Sequence, residues 1–340
     1  MTKQRINSID VARKAGVSQT TVSMVLTNRQ GVSISPDTRE KVLAAARELG
    51  YRPNSSARAI STGRFGCAAI ILSTKAYTSN LPMGLLDGIH DTLADNGMHL
   101  NISRLPDEKL IGPDALPKFL REQFVDGLLI NYHYHIPETF LEKVREDRIP
   151  YVWINHQLDA DCVYPDDFQA ARYLTERFIT RGHRRIAYFV YPASVHYSDA
   201  DRRAGYKRAM DAGGLRSEII SYGADEISNA ECMALLLGRF GAEDAPTAVV
   251  AYGPWPARAL MQVALRLGRG GPDDLDVATF DDQVLEDCGR NIATAIIPQY
   301  AIGVRAVEML RQKLEAPELL LAPQAIPYTF ADGETSEITA

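Results

Sequence analysis

IDVARKAGVSQTTVSMVL, residues Ile9 to Leu26, reads as two short helices joined by one tight turn. Asn7 stands before the first helix as a cap, and Asp10 three residues on completes a capping-box-like pair. Val11, Ala12 and Ala15 give that helix a narrow apolar face. Gly16 makes the turn, because it accepts a positive φ that other residues resist. Ser18 then caps a second helix whose apolar positions are Val22, Val25 and Leu26. Its other face offers short polar groups suited to base edges and phosphates, at Gln19, Thr20, Ser23 and Asn28. The DNA-facing set expected from this stretch is Asn7, Ser18, Gln19, Thr20, Thr21, Ser23, Met24 and Asn28. Taken alone, an ordinary helical hairpin is the alternative.

The residues beyond Asn28 extend the pattern. Ser35 caps a third helix that begins at Pro36, repeats apolar residues at Val42, Leu43, Ala46 and Leu49, and ends at Gly50. Three small helices then share one apolar centre. The next segment, Tyr51 to Ile60, is an extended linker with a one- or two-turn helix after Asn54. A helix this short is marginal alone in water and forms only against something, such as a duplex groove and a second copy of the chain. Charge points the same way. Residues 1–66 hold eleven Lys/Arg against four Asp/Glu, a net of +7, so a chain of total charge −6 leaves −13 for the remainder. A basic cap on an acidic body is the footprint of a head that reads nucleic acid.

The remainder alternates short apolar runs with amphipathic segments. Ala68–Leu72, Leu100–Ile102, Gly127–Ile130 and Tyr151–Ile154 read as buried strands, with a helix over about 84–96. The pattern restarts with a helix over about 169–180 and strands at Arg185–Val190, Ala248–Ala251 and Val277–Phe280, and a helix over about 302–314 closes it. The expected fold is an all-α helix-turn-helix head on an α/β body of two doubly wound parallel-sheet lobes. The expected boundaries are 1–52 for the head, 53–65 for hinge and linker, and 66–340 for the body. Within the body the first lobe runs to about 158, the second over about 159–297, and a closing segment to about 330. With 340 residues and 46% hydrophobic content, the chain can bury more than one core.

Ligands in such sheets sit beyond the carboxyl ends of the strands. That rule selects Ser73, Asn131 with Tyr132, and Asn155 with His156 in the first lobe. In the second it selects Tyr191 through Arg202, Tyr252 through Trp255, and Asp281 with Asp282. Amides, hydroxyls, acids and flat rings suit a polyhydroxylated ligand. Each one alone is equally well a loop residue satisfied by backbone or water.

These stretches resemble the lactose/galactose-repressor family of bacterial transcription regulators. The resemblance rests on SIDVARKAGVSQTTVSMVL, VSISPDTREKVLAAARELGYRPNSSARAISTGR, GLLINY, RGHRRIAYF, RRAGY and VATFDD, and runs from about Asn7 to about Leu314. It implies a periplasmic-binding-protein-like body, a homodimer on double-stranded pseudo-palindromic operator DNA, and a small carbohydrate-like effector between the lobes. It implies hinge contacts to DNA at Asn54, Ser55, Ala57, Arg58 and Ile60, the last as the apolar wedge of the minor groove. It carries effector contact over to Arg202, Asp281 and Asn131, and with the strand-end residues the expected effector set is Ser73, Tyr77, Asn131, Tyr132, Asn155, Tyr197, Ser198, Arg202, Tyr252, Trp255, Asp281 and Gln299. Two departures stand out. Many members carry Asn-Asp where this chain has Tyr252-Gly253-Pro254-Trp255, which points to a ring-stacked ligand such as a disaccharide or aryl glycoside. Met24 stands where several relatives place Arg, removing a bidentate guanine contact. The tail shows no heptads, so a dimer is expected rather than a zipper-linked tetramer.

No phosphate loop, nucleophile elbow or His-Glu-x-x-His pair is present, so an enzyme, a cofactor and a metal are not expected. His133 and His135 alternate on one face without an evident third ligand. Cys67, Cys162, Cys232 and Cys288 form no Cys-x-x-Cys pair and are expected to be reduced thiols. No apolar run approaches the roughly 20 residues of a membrane span, and the N-terminus lacks a secretion signal. The expected location is therefore the cytoplasm. A corepressor-dependent repressor, and more distantly a sugar-binding protein or sugar-processing enzyme, are the alternatives.

Overall fold

Two helix-capping glycines and three capping side chains set the geometry of the N-terminal unit. The computed structural model describes residues 6–26, 33–52, 63–74, 79–105, 124–132, 136, 138–191, 196–222, 227–269, 274–287 and 289–333. The chain divides into two compact units, Met1–Gly66 and Cys67–Ala340. In the first, α1 (Ser8–Ala15) starts at a full capping box: the Asn7 side chain accepts from the Ile9 and Asp10 amides, and Asp10 accepts from the Asn7 amide at 3.0 Å. Gly16 ends α1 at φ 66°. The Ser18 hydroxyl accepts from the Thr21 amide at 3.1 Å and opens α2 (Gln19–Leu26). α3 (Pro36–Leu49) has Ser35 as its cap and ends at Gly50 with φ 62°. Val11, Ala12, Val22, Val25, Val42, Ala45 and Ala46 form the shared core. Leu43, expected inside, is instead 39% exposed. Positions 42, 45, 46 and 49 make one stripe at helical spacing, and Leu43 lies off it. Asn28, Asn54, Ser55, Ala57, Arg58 and Ile60 lie outside the described residues.

The second unit holds two sheets. β1 (Cys67–Ser73), β2 (His99–Leu105), β3 (Gly127–Asn131), β4 (Tyr151–Ile154), β5 (Cys162–Pro165) and the late strand β12 (Gln324–Ile326) pair in the order β12-β5-β4-β3-β1-β2, all parallel. Apolar side chains of α4 (Met83–Asp95) and α10 (Gln299–Glu315) cover one face. Those of α5 (Glu138–Glu146) cover the other. The second sheet contains β6 (Ile186–Val190), β7 (Glu218–Ser221), β8 (Ala248–Ala251), β9 (Asp276–Asp281), β10 (Leu285–Asp287) and β11 (Arg290–Ile296), in the order β10-β11-β9-β8-β6-β7. β13 (Thr329–Ala331) lies antiparallel on β11. α6 (Asp167–Thr180) and α7 (Tyr197–Ala212) pack on one face, and α8 (Asn229–Gly241) and α9 (Pro254–Arg266) on the other. Strands that carry helices on both faces are apolar throughout, which makes most of them legible as continuous runs.

The division into lobes differs from the expectation of a cut at 158/159. β5 pairs with β4 and so belongs to the first lobe, and α10 returns to that lobe after β11, before β13 adds the last strand of the second sheet. The chain crosses between lobes three times, each time in a few residues: from Pro165 to Asp167, from Ile296 to Gln299, and from Ile326 to Thr329. One buried ion pair fixes the last return. Lys313 donates to Asp161 at 2.7 Å and to the Leu319 carbonyl at 2.8 Å, while Asp161 accepts from the Leu321 amide at 3.0 Å.

α6 and α7 pack backbone to backbone at Gly205. A Cβ there would collide with the Phe168 carbonyl oxygen and press on the Arg172 amide. Gly205→Ala should therefore destabilise the body by about 1–3 kcal/mol through overpacking. Gly238→Ala, in α8 with open space around it, should stabilise by up to about 1 kcal/mol. Urea melts of the two variants against the parent chain check both signs.

Candidate functional site

The carboxyl ends of the two sheets meet at side chains that bridge the lobes. Asn155 follows β4 in the left-handed region at φ 55°, which turns its side chain and carbonyl toward α7. Tyr197 donates to the Asn155 Oδ1 at 3.1 Å, and the His196 ring Nε2 lies 3.2 Å from the Asn155 carbonyl. Gln157 donates to Asp201 at 3.1 Å. On the other side of the opening, Gln299 at the start of α10 donates to Asp282 at 2.8 Å.

Arg202 sits on α7 behind this opening with 6% of its surface exposed. Its Nε donates to Asp167 at 2.6 Å, one terminal nitrogen donates to the Tyr252 carbonyl at 2.5 Å, and the other to the Tyr328 hydroxyl at 3.1 Å. The guanidinium lies 3.9 Å over the Phe280 ring and 4.8 Å from that of Tyr252. Burial works against its charge, and Asp167 with the surrounding tyrosines overcomes that, so the guanidinium stays charged. The same burial pushes the Asp167 carboxyl upward against the pull of Arg202. Asp167 Oδ2 has no hydrogen-bond partner among the described residues.

Around this pair the expected residues separate. Ser198 shares a hydrogen bond of 3.0 Å with the Tyr252 hydroxyl, and Trp255, 37% exposed, lies 4.9 Å from the Tyr191 ring. Asp281 ends β9, where burial raises its carboxyl. Ser73 and Asn131 end neighbouring strands in the first lobe; the Asn131 amide donates to the Asn80 carbonyl, and its Oδ1 is a buried acceptor without a partner among the described residues. Tyr132 does not join them. It is fully buried beneath α5, because alternation beyond Asn131 turns it into the core of the first lobe. Tyr77, His133 and His135 lie outside the described residues. Among the described residues no cluster of His, Cys, Asp and Glu is suited to a metal, and no helix is long and apolar enough to cross a membrane. Gln157 and Tyr328 are additions, while Asp201 falls inside the stretch from Tyr191 to Arg202 and Asp167 in the acidic pair at 166–167. The Asp166-Asp167 pair carries a signal, that of caps and acceptors, and Asp166 does cap α6. Nothing local marks Tyr328, which meets Asp167 across 161 positions of sequence.

In the N-terminal unit, Gln19, Thr20 and Ser23 present one exposed edge of α2, with Met24 partly buried beside them. Gln19 is held by its Nε2, which donates to Ser8 at 2.9 Å. Asn7 and Ser18 spend side-chain oxygens on capping.

Residues 9–54 match the family described as bacterial regulatory proteins, lacI family, and residues 175–336 match the periplasmic binding protein-like domain. The chain is 30% identical over 297 residues to the HTH-type transcriptional regulator CelR of Thermobifida fusca, covering 84% of this chain and 85% of that one. It is 29% identical over 310 residues to catabolite control protein A of Priestia megaterium, covering 88% and 90%. The structure of a CelR–cellobiose complex overlays with a TM-score of 0.65 at 26% identity, covering 98% of this chain and 100% of that one. A lac repressor dimer bound to operator and an anti-inducer overlays at 0.75, covering 98% and 99%, and at 23% identity it speaks for the fold. A helix-turn-helix head on two parallel-sheet lobes, with relatives that are transcriptional regulators and not enzymes, places this chain in the lacI family of bacterial regulatory proteins, as a DNA-binding transcription regulator.

Proposed function

We propose that the protein represses transcription as a homodimer on a pseudo-palindromic operator and is released by a carbohydrate-like effector, a disaccharide or glycoside, held between the lobes. The observation that carries this reading is the fixed pose of Arg202. Three of its five N–H groups are taken by Asp167, Tyr252 and Tyr328. Among the described residues this leaves one N–H on each terminal nitrogen for ligand hydroxyls. Tyr252 and Trp255 supply ring faces, and Ser198, Asn155, Asp281, Gln299, Ser73 and Asn131 supply donors and acceptors of both lobes. The likeness to a CelR–cellobiose complex supports the same chemistry. A ligand that touches both lobes favours their closed arrangement, and only its differential affinity for the two arrangements moves the equilibrium. Closure then changes the spacing of two heads whose α2 helices enter successive major grooves.

A panel of mono- and disaccharides beginning with cellobiose, screened by thermal melting, tests the cleft. A sugar present at about 100 times its Kd should stabilise the folded chain by about 2.7 kcal/mol. Arg202→Lys keeps a cation beside Asp167 but loses the forked donor set. It should retain operator binding and lose the sugar response; a normal response would remove Arg202 from the site, and tighter operator binding with sugar would reverse the sign. The chain has two tryptophans. Trp153 is buried in the first lobe, so a change of tryptophan emission on adding sugar should arise at Trp255 and vanish in Trp255→Phe.

Base reading falls to the exposed edge of α2. With its Nε2 on Ser8, Gln19 presents Oε1 as an acceptor for a base amine. Gln19→Ala should lower affinity by about 1–3 kcal/mol at particular operator positions, measured over a library of single-base operator variants. Uniform weakening across that library would make Gln19 a backbone contact instead.

A further inference from the structure

The effector-side arginine and the hinge between the lobes share atoms. Asp167 is the first residue of α6, directly beyond the first crossover, and Tyr328 lies on the third, between β12 of the first sheet and β13 of the second. The Tyr328 hydroxyl donates to Asp167 at 2.8 Å and accepts from Arg202 at 3.1 Å. Its ring is seated edge-on against Phe280 at 5.9 Å, the same ring that carries the Arg202 guanidinium. The two crossovers are clamped side by side, for the Asp166 amide donates to the Ile326 carbonyl at 2.9 Å. When the lobes rotate, β12 moves with the first sheet and β13 with the second. Pro327 has its φ fixed by its ring, so much of the torsional change falls on Tyr328.

We infer that Tyr328 is a positioning residue that couples occupancy of the cleft to the angle between the lobes, by tying Arg202 and Asp167 to the third crossover. The inference rests on the reading of the cleft as the effector site. A ligand that draws on Arg202 shifts the shared hydroxyl, and the strap carrying it is one of the three connections about which the lobes turn. The hydroxyl contributes to switching and not to base reading, because it lies in the body, far along the chain from the head.

The test compares the full-length chain with Tyr328→Phe, which keeps the ring and removes the hydroxyl. Tyr173→Phe is the control, since Tyr173 stacks on the same strap at Phe330, 4.1 Å between ring centroids, without touching the Arg202 network. The quantity read is the ratio of operator Kd with saturating cellobiose, or the most stabilising sugar of the panel, to that without it. Measurement at saturation keeps any change in sugar affinity out of the ratio. Tyr328→Phe should shrink this ratio by roughly fivefold or more, and Tyr173→Phe should leave it within about twofold. A merely structural role would lower the melting temperature and leave the ratio alone. An unchanged ratio in Tyr328→Phe, or an equal fall in Tyr173→Phe, overturns the inference. Absence of any sugar response in the parent chain would instead remove the cleft reading. Amide exchange of the ligand-free proteins then decides: faster exchange in peptides covering 163–170 and 324–331 of Tyr328→Phe supports the tie between crossovers, and parental exchange rates overturn it.

Discussion

The contact between Asp167 and Arg202 is the constraint around which the body is arranged. Both groups are buried, and a buried ion pair adds little stability over well-packed apolar residues, since desolvation consumes most of the attraction. What it fixes is position. The carboxylate begins α6, the guanidinium comes from α7, and the two helices are brought within reach because residue 205 has no side chain to keep them apart. Phe280 and Tyr252 flank the guanidinium from strand β9 and the end of β8. A cation so braced cannot swing to find a ligand. It presents its remaining donors at one place, which favours specificity over adaptability.

The N-terminal unit solves a different problem. It has few residues from which to build a core, so valine and alanine stripes on three short helices do the work, and a side chain or a left-handed glycine closes both ends of α1 and α3 and the start of α2. Its surplus of positive charge against an acidic body directs phosphates to one end of the chain.

Most of this is legible in the sequence where physics is local. Asn7, Gly16, Ser18, Ser35, Pro36 and Gly50 act within four residues of themselves, and each performs the capping or turning role that its chemistry dictates. Continuous apolar strands announce the parallel sheets. The failures share a cause in distance or in phase. Leu43 reads as core because an apolar residue beside a stripe looks like part of it. Tyr132 reads as a cleft residue because the sequence does not mark where β3 stops, and one residue of phase separates cleft from core. β12 is a three-residue strand that opens on Gln324, and β5, Cys162–Pro165, is a four-residue run closed by a proline between Asp161 and Asp166, so both read as loop and the boundary between lobes shifts with them. Tyr328 and Asp167 meet only because three crossovers bring the end of the chain back through the middle.

That return has a consequence for how the protein is made. β12 seals the edge of the first sheet beside β5, in a register that sets Gln324 against Val163, and the Asp161–Lys313 pair anchors the approach to it. α10, which helps cover one whole face of that sheet, also comes only after β6 to β11 of the second lobe. A ribosome that has supplied β6 to β11 of the second sheet has therefore still not supplied what the first lobe needs. Until those last segments emerge, the older lobe carries an open strand edge and an uncovered apolar face, the two features that invite pairing with other chains. The half synthesised first stays open until nearly the end of the chain, and the body is protected from misassembly only once its C-terminal strap has been laid down.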